Sequence, residues 1–124
     1  MSQEPSVLVI DDDADIREFV QLALEVGGYA AVTSPDGADA LRLLDGGLRP
    51  RVILLDMRMP TMDGWAFAAA FRDRYDRTIP LVCMTAAPDA EQRAKEIAAE
   101  ATLGKPFELP ALHALLARFH GAAA

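Results

Sequence analysis

The chain has 124 residues and is short of several things. It has one cysteine, Cys83, which excludes an intrachain disulfide and the cysteine-rich zinc modules. Cys83 sits in the apolar run 79–84 and is expected to be a small buried hydrophobe. Lysine is scarce too, with only Lys95 and Lys105. Twelve Lys and Arg stand against nineteen Asp and Glu, a net charge of −7. That balance argues against direct nucleic-acid binding, which depends on basic side chains neutralising phosphates, and against a lysine-rich membrane patch. No apolar stretch approaches the roughly 18 residues that span a bilayer, so no membrane association is expected. The opening Met1-Ser2-Gln3-Glu4-Pro5 lacks the basic and apolar regions of a secretory signal, so a cytoplasmic location is expected. Neither G-x-G-x-x-G nor a P-loop is present, which disfavours a nucleotide enzyme. There is no low-complexity linker and no repeat beyond the alternation described next. With 52% hydrophobic and 25% charged residues, the composition is that of one globular domain. The expectation is a single domain over 1–124 with an ordered core about 5–120, a frayed tail at 121–124 and no output domain.

Two patterns alternate along this chain. Residues 7–10, 52–55 and 81–84 are continuous apolar runs, and 29–33 and 101–103 are weaker ones. Continuous rather than alternating apolarity predicts strands buried on both faces, as in a parallel sheet. Between the runs lie stripes with helical spacing: Ile16, Phe19, Val20, Ala23 and Leu24; Ala40, Leu41 and Leu44; Phe67, Ala68, Phe71 and Tyr75; Ala94, Ile97 and Ala98; and Leu109, Leu112, Leu116 and Phe119. Gly27-Gly28, Gly46-Gly47 and the turn from Pro60 to Gly64 punctuate them, while Asp13 and Glu108 mark helix starts. The pattern is (βα)5, which predicts an α/β fold: a doubly wound five-stranded parallel sheet with helices on both faces. In such sheets ligands bind at the carboxyl ends of the strands, so those ends carry the functional reading.

The first strand is read as ending in Asp11-Asp12-Asp13, the third in Asp56 and the fourth in Thr85-Ala86, and Lys105-Pro106 follows the fifth. One such residue alone is more often a helix cap or a solvated side chain. Four polar groups at four strand ends on one sheet edge are hard to assign to chance. Asp11, Asp12 and Asp56 against Lys105 leave two uncompensated negative charges, which a divalent cation balances. Magnesium suits few carboxylates and binds phosphate oxygens as well. Once neutralised, a carboxylate can attack phosphorus to give an acyl phosphate, with Lys105 and the Thr85 hydroxyl stabilising the transferring group. Asp13 reads as the N-cap of the first helix and Asp63 as a cap of the third. Trp65, one residue into the third helix, is expected to be partly buried. His113 and His120, the only histidines, lie away from the strand ends, so neither is expected to take part in the site.

These residues resemble the receiver domain of two-component response regulators. The resemblance rests on VLVIDDDADIRE, VILLDMRMPTMDG, VCMTA and LGKPFE, and is most specific from Asp56 to Gly64. It implies a flavodoxin-like sheet of strand order 2-1-3-4-5 and a phospho-accepting Asp56 served by the phosphohistidine of a sensor histidine kinase or histidine phosphotransfer protein. It also implies Mg²⁺ held directly by Asp12, through water by Asp11, and by Asp56 and the backbone carbonyl of Arg58. Thr85 and Lys105 would hold the phosphoryl oxygens. The chain would then be a stand-alone regulator or phosphate carrier that controls a downstream protein, not a turnover enzyme. It departs from the family in carrying Thr102 where an aromatic residue is usual, and Ala98-Ala99-Glu100 where Gly-Ala-Asp is usual. Thr102 has no ring to swing, so it is not expected to act as a large rotamer switch.

Two other readings compete. A haloacid-dehalogenase-type phosphatase would use Asp11 as nucleophile and Asp13 as acid/base. It needs further acids after Lys105, where only Glu108 stands, and it leaves Asp56 unexplained. A non-phosphorylated interaction module would keep the fold without the chemistry, which the four-part set opposes.

Overall fold

Five parallel strands form the centre of the computed structural model, which describes residues 6–57, 64–75, 79–86, 92, 95–97, 99–105 and 108–122; the side chains of 6, 85, 86, 105 and 119–122 lie outside that description. The elements are β1 (Ser6–Ile10), α1 (Ala14–Val26), β2 (Ala30–Ser34), α2 (Gly37–Asp45), β3 (Val52–Asp56), α3 (Gly64–Arg74), β4 (Leu81–Ala86), β5 (Ala101–Lys105) and α4 (Leu109–Ala122). The sheet order is β2-β1-β3-β4-β5. The expected doubly wound sheet and its order are therefore observed. Four of the five expected helices are present as described elements. The stripe at Ala94, Ile97 and Ala98 falls largely outside the described residues, although Gln92, Lys95 and Glu96 are helical and Ile97 is buried.

The continuous apolar runs are explained by two cores. Side chains alternate across a strand, so each run supplies both faces. Leu8, Ile10, Ile53, Leu55, Leu81 and Cys83 pack on one face against α2 and α3, through Leu41, Leu44, Phe67 and Phe71. Val7, Val9, Val52, Leu54, Val82, Met84 and Leu103 pack on the other against α1 and α4, through Val20, Leu24, Leu112 and Leu116. Every residue of β3 is buried, as befits the central strand. Cys83 is fully buried, as expected. Burying one such Leu or Ile side chain contributes about 1.5–3 kcal/mol, so these runs dominate the stability of the sheet.

Helix ends follow local chemistry. The Asp13 carboxylate accepts from the N–H groups of Asp15 and Ile16, the expected N-cap of α1. Asp36 caps α2 by accepting from Asp39 N–H at 2.8 Å. At the other ends Gly28 and Gly47 adopt φ of +89° and +116°, the left-handed region that L side chains avoid. There Tyr29 N–H reaches back to Leu24 O and Leu48 N–H to Leu43 O, closing both helices with the same motif.

Two details differ from the sequence pattern. Phe19 was expected on the buried stripe of α1 but is 48% exposed. A helix laid on a sheet buries a limited arc, here centred on Val20 and Leu24, and Phe19 falls at its edge. Tyr75 lies one residue beyond α3 and is half-buried; its ring stands 5.6 Å from Phe71 and its hydroxyl donates to Asp45 at 2.7 Å.

Candidate functional site

Asp11 and Asp56 meet because β1 and β3 are neighbours in register. Ile10 pairs with Leu55, so the next residue of each chain emerges at the same edge. From there the chain runs into α1 on one face after β1 and towards α3 on the other after β3. That divergence falls at the carboxyl end of the sheet, where α/β proteins of this topology bind ligands.

The carboxylates of Asp11, Asp12 and Asp56 offer oxygens that all lie within 4.8 Å of one another. Asp11 is fully buried, Asp56 is 6% exposed, and Asp12 faces solvent. The cluster thus has a closed floor and an open side. Its backbone is fixed in several ways. Asp11 N–H donates to Ser34 O at 3.1 Å, and Asp13 N–H donates to Asp11 Oδ1 at 2.9 Å. The Arg17 guanidinium donates to the Asp11 carbonyl at 2.7 Å. Arg17 was not singled out in the sequence. Its only signal is that six residues separate it from Asp11, which places it on the second turn of α1 facing back toward the strand end.

Charges this deep are costly unless paired or bound to a cation. Three hard oxygen donors, two of them nearly out of water and one at the solvent edge, fit a small divalent cation that keeps part of its water shell. Mg²⁺ matches that donor set. Asp13 does not join the cluster, because its carboxylate is engaged by the first turn of α1.

β4 and β5 run two residues further than their apolar runs indicate. Thr85-Ala86 ends β4, as expected, whereas Lys105 is the last residue of β5 and not the first residue after it. Thr85 pairs with Gly104, Ala86 with Lys105, and Asp56 with Met84. The main chain at 56, 85 and 105 thus reaches one edge of the sheet. The Thr85 and Lys105 side chains, all of Arg58, and the expected cap Asp63 lie outside the described residues. Thr102 is a half-buried strand residue paired with Cys83. His113 stands at the opposite end of α1, its Nε2 2.9 Å from the Ala23 carbonyl, and takes no part in the cluster. The His120 side chain is outside the description.

One contact beside Asp56 has no signature in the sequence beyond a glycine. Gly64 N–H donates to Met57 O at 3.1 Å, which brings the start of α3 back to the residue after Asp56. A Cβ at Gly64 would lie 2.5 Å from Met57 Sδ and 2.8 Å from Met57 Cα, so only glycine fits without displacement.

Comparison with known proteins adds a family. The family model described as the response regulator receiver domain matches residues 7–117. The transcriptional regulatory protein PrrA of Mycobacterium tuberculosis is 36% identical over 110 residues, 87% of this chain and 46% of PrrA. The transcriptional regulatory protein CseB of Streptomyces avermitilis is 34% identical over 125 residues, 96% of this chain and 52% of CseB. The chain therefore spans about half the length of the curated relatives it matches. Among solved structures, the chemotaxis response regulator CheY4 of Vibrio cholerae superimposes with a TM-score of 0.83 at 34% identity, covering 94% of this chain and 99% of that one. Among the described residues, no helix is long and apolar enough to cross a membrane.

Proposed function

The chain belongs to the receiver-domain family of two-component response regulators, and from that premise we propose that it is a phospho-accepting signalling domain whose acceptor is Asp56. The observation that carries this is the position of the Asp56 carboxylate: at the end of the central strand, 6% exposed, in a cluster with Asp11 and Asp12. A carboxylate oxygen of Asp56 forms a bond to phosphorus as the P–N bond of a partner's phosphohistidine breaks, and the bonding pair goes to the imidazole nitrogen. The donor belongs to a partner, a sensor histidine kinase or a histidine phosphotransfer protein: of the two histidines, His113 is held at the far end of α1 and His120 lies two turns further along α4.

Asp11, Asp12 and Asp56 would hold Mg²⁺ together with the Arg58 carbonyl. Bound there, the ion supplies positive charge opposite the phosphoryl oxygens. Asp11 sets the floor of the site, held by Arg17 and by Asp13 N–H. Asp12, at the solvent edge, leaves the approach to Asp56 open on one side. Thr85 would donate its hydroxyl, and Lys105 its ammonium, to phosphoryl oxygens; the common edge reached by 85, 105 and 56 supports both roles. The aspartyl phosphate, later lost to water, shifts the conformation presented to a downstream protein. This is regulation and not turnover of an external substrate. The phosphatase reading is opposed by Asp13, whose carboxylate caps α1 instead of standing free as an acid/base.

Intact-mass spectrometry after incubation with acetyl phosphate and Mg²⁺ tests the assignment. One added phosphate is expected on the wild type and none on Asp56→Asn. Full labelling of that variant refutes Asp56 as acceptor.

A further inference from the structure

The only tryptophan in the chain is Trp65, the second residue of α3. Its indole N–H donates to Glu96 Oε1 at 2.7 Å, across 31 positions of sequence. The other oxygen of that carboxylate accepts from Gln92 Nε2 at 3.2 Å, which ties the contact into the helical turn that contains Gln92 and Glu96. One turn pair further along the same face of α3, Arg72 reaches Glu100 at 3.4 Å, while Glu100 itself accepts from Leu81 N–H at 2.8 Å. The face of α3 bearing residues 65 and 72 is thus held to the segment between β4 and β5 at two points. They are not equivalent. Glu100 accepts from the sheet itself, at Leu81 N–H, whereas the second oxygen of Glu96 accepts from Gln92.

Trp65 also stands next to the contact with least slack near Asp56. Gly64 N–H bonds Met57 O, and the two residues approach so closely that even a methyl group has no room. Met57 is fully buried and directly follows Asp56. A displacement of the Asp56–Met57 main chain therefore passes to Gly64 and carries Trp65 with it. A hydrogen bond of 2.7 Å tolerates only a few tenths of an ångström before it weakens or drags its partner.

We propose that Trp65 and Glu96 form a latch through which the phosphorylation state of Asp56 biases the turn containing Gln92 and Glu96, with Arg72–Glu100 as the fixed pivot. The proposal rests on the assignment of Asp56 as acceptor. The latch makes its full contact in one state of Asp56 and a weaker one in the other. That difference is the largest coupling it can transmit.

The test uses the whole chain, isotope-labelled, with and without acetyl phosphate and Mg²⁺, and intact mass recorded on the same samples. In the wild type, added phosphate should be accompanied by a change in Trp65 fluorescence and by shifts of the Gln92, Lys95 and Ile97 amides. In Trp65→Phe, which keeps a ring and loses the donor, the added mass should persist while those amide shifts fall at least twofold. Glu96→Ala, at an exposed position, should reproduce this result and serves if Trp65→Phe folds poorly. Undiminished amide shifts in either folded variant, at wild-type labelling, overturn the latch alone. Absence of added mass in the wild type overturns the assignment of Asp56, and the latch with it.

Discussion

Replacing Gly64 by alanine tests how tightly the start of α3 is tied to the phospho-acceptor. Gly64 has an ordinary φ, so alanine suffers no backbone strain, and inside a helix the change would gain up to about 1 kcal/mol. Space opposes that gain. The new Cβ would stand 2.8 Å from Met57 Cα, which is main chain, and 2.5 Å from Met57 Sδ, in a side chain that is fully buried. Forcing a methyl group into a packed core costs about 1–3 kcal/mol. The core term wins at this first helical position, where the propensity gain is smallest. The net loss is about 1–2 kcal/mol, a fall in Tm of roughly 4–8 °C for a domain of this size. The second consequence is chemical. Met57 has to yield, and Asp56 is bonded to it. Since a misplacement of about 1 Å costs on the order of 100-fold in rate, a shift of a few tenths should slow labelling by acetyl phosphate roughly 3- to 30-fold. Calorimetry and time-resolved intact-mass spectrometry measure the two effects separately. Gly104→Ala is the control, because nothing lies within 4 Å of the Cβ it would add and its φ is not left-handed; it should be neutral or stabilise by up to about 1 kcal/mol. A Gly64→Ala protein that melts with the wild type and labels at the wild-type rate refutes the reasoning.

Asp12→Asn should raise Tm in EDTA by a few degrees, since it relieves up to about 1 kcal/mol of repulsion at a solvent-exposed carboxylate, and should abolish Mg²⁺-dependent labelling; a less stable variant that still labels contradicts both halves. Tyr75→Phe should move Asp45 back toward the usual carboxylate range in an NMR titration, because the hydrogen bond from Tyr75 is the main cause holding that carboxyl low, with Arg74 adding to it and partial desolvation opposing it. The sign of the linked stability follows: a depressed folded pKa contributes above the unfolded value and is lost as pH falls through the folded one. The advantage of wild type over Asp45→Asn should therefore be present at neutral pH and vanish in acid below the ordinary carboxylate range, and an advantage that grows with acid would show the sign to be wrong. Tyr75 is held high by the same hydrogen bond, so its share is present at neutral pH and lost only as alkaline pH passes its raised value.

The sheet and the identity of its acids were legible in the sequence because both depend on local pattern. Val52 to Leu55 are apolar without interruption because successive side chains enter two cores, and that requirement is written residue by residue. Asp13 could be read as a cap because its partners are two and three residues away. Asp11, Asp12 and Asp56 could be grouped because parallel strands bring their carboxyl ends to one edge whatever the order of the inner strands. The end of β5 was less legible: Lys105 belongs to it because β5 pairs with β4 beyond its apolar run, and pairing follows from the partner and not from hydropathy. Other features were decided by packing between segments remote in sequence. Phe19 carries the helical spacing of its stripe, yet it is exposed because the sheet accepts only part of the helix surface. Arg17 on the Asp11 carbonyl, Gly64 against Met57, and Trp65 on Glu96 depend on how α1 and α3 are set down on the sheet. Only the tertiary structure fixes that placement, because side-chain contacts of a few ångströms between distant residues leave no period or motif in the chain.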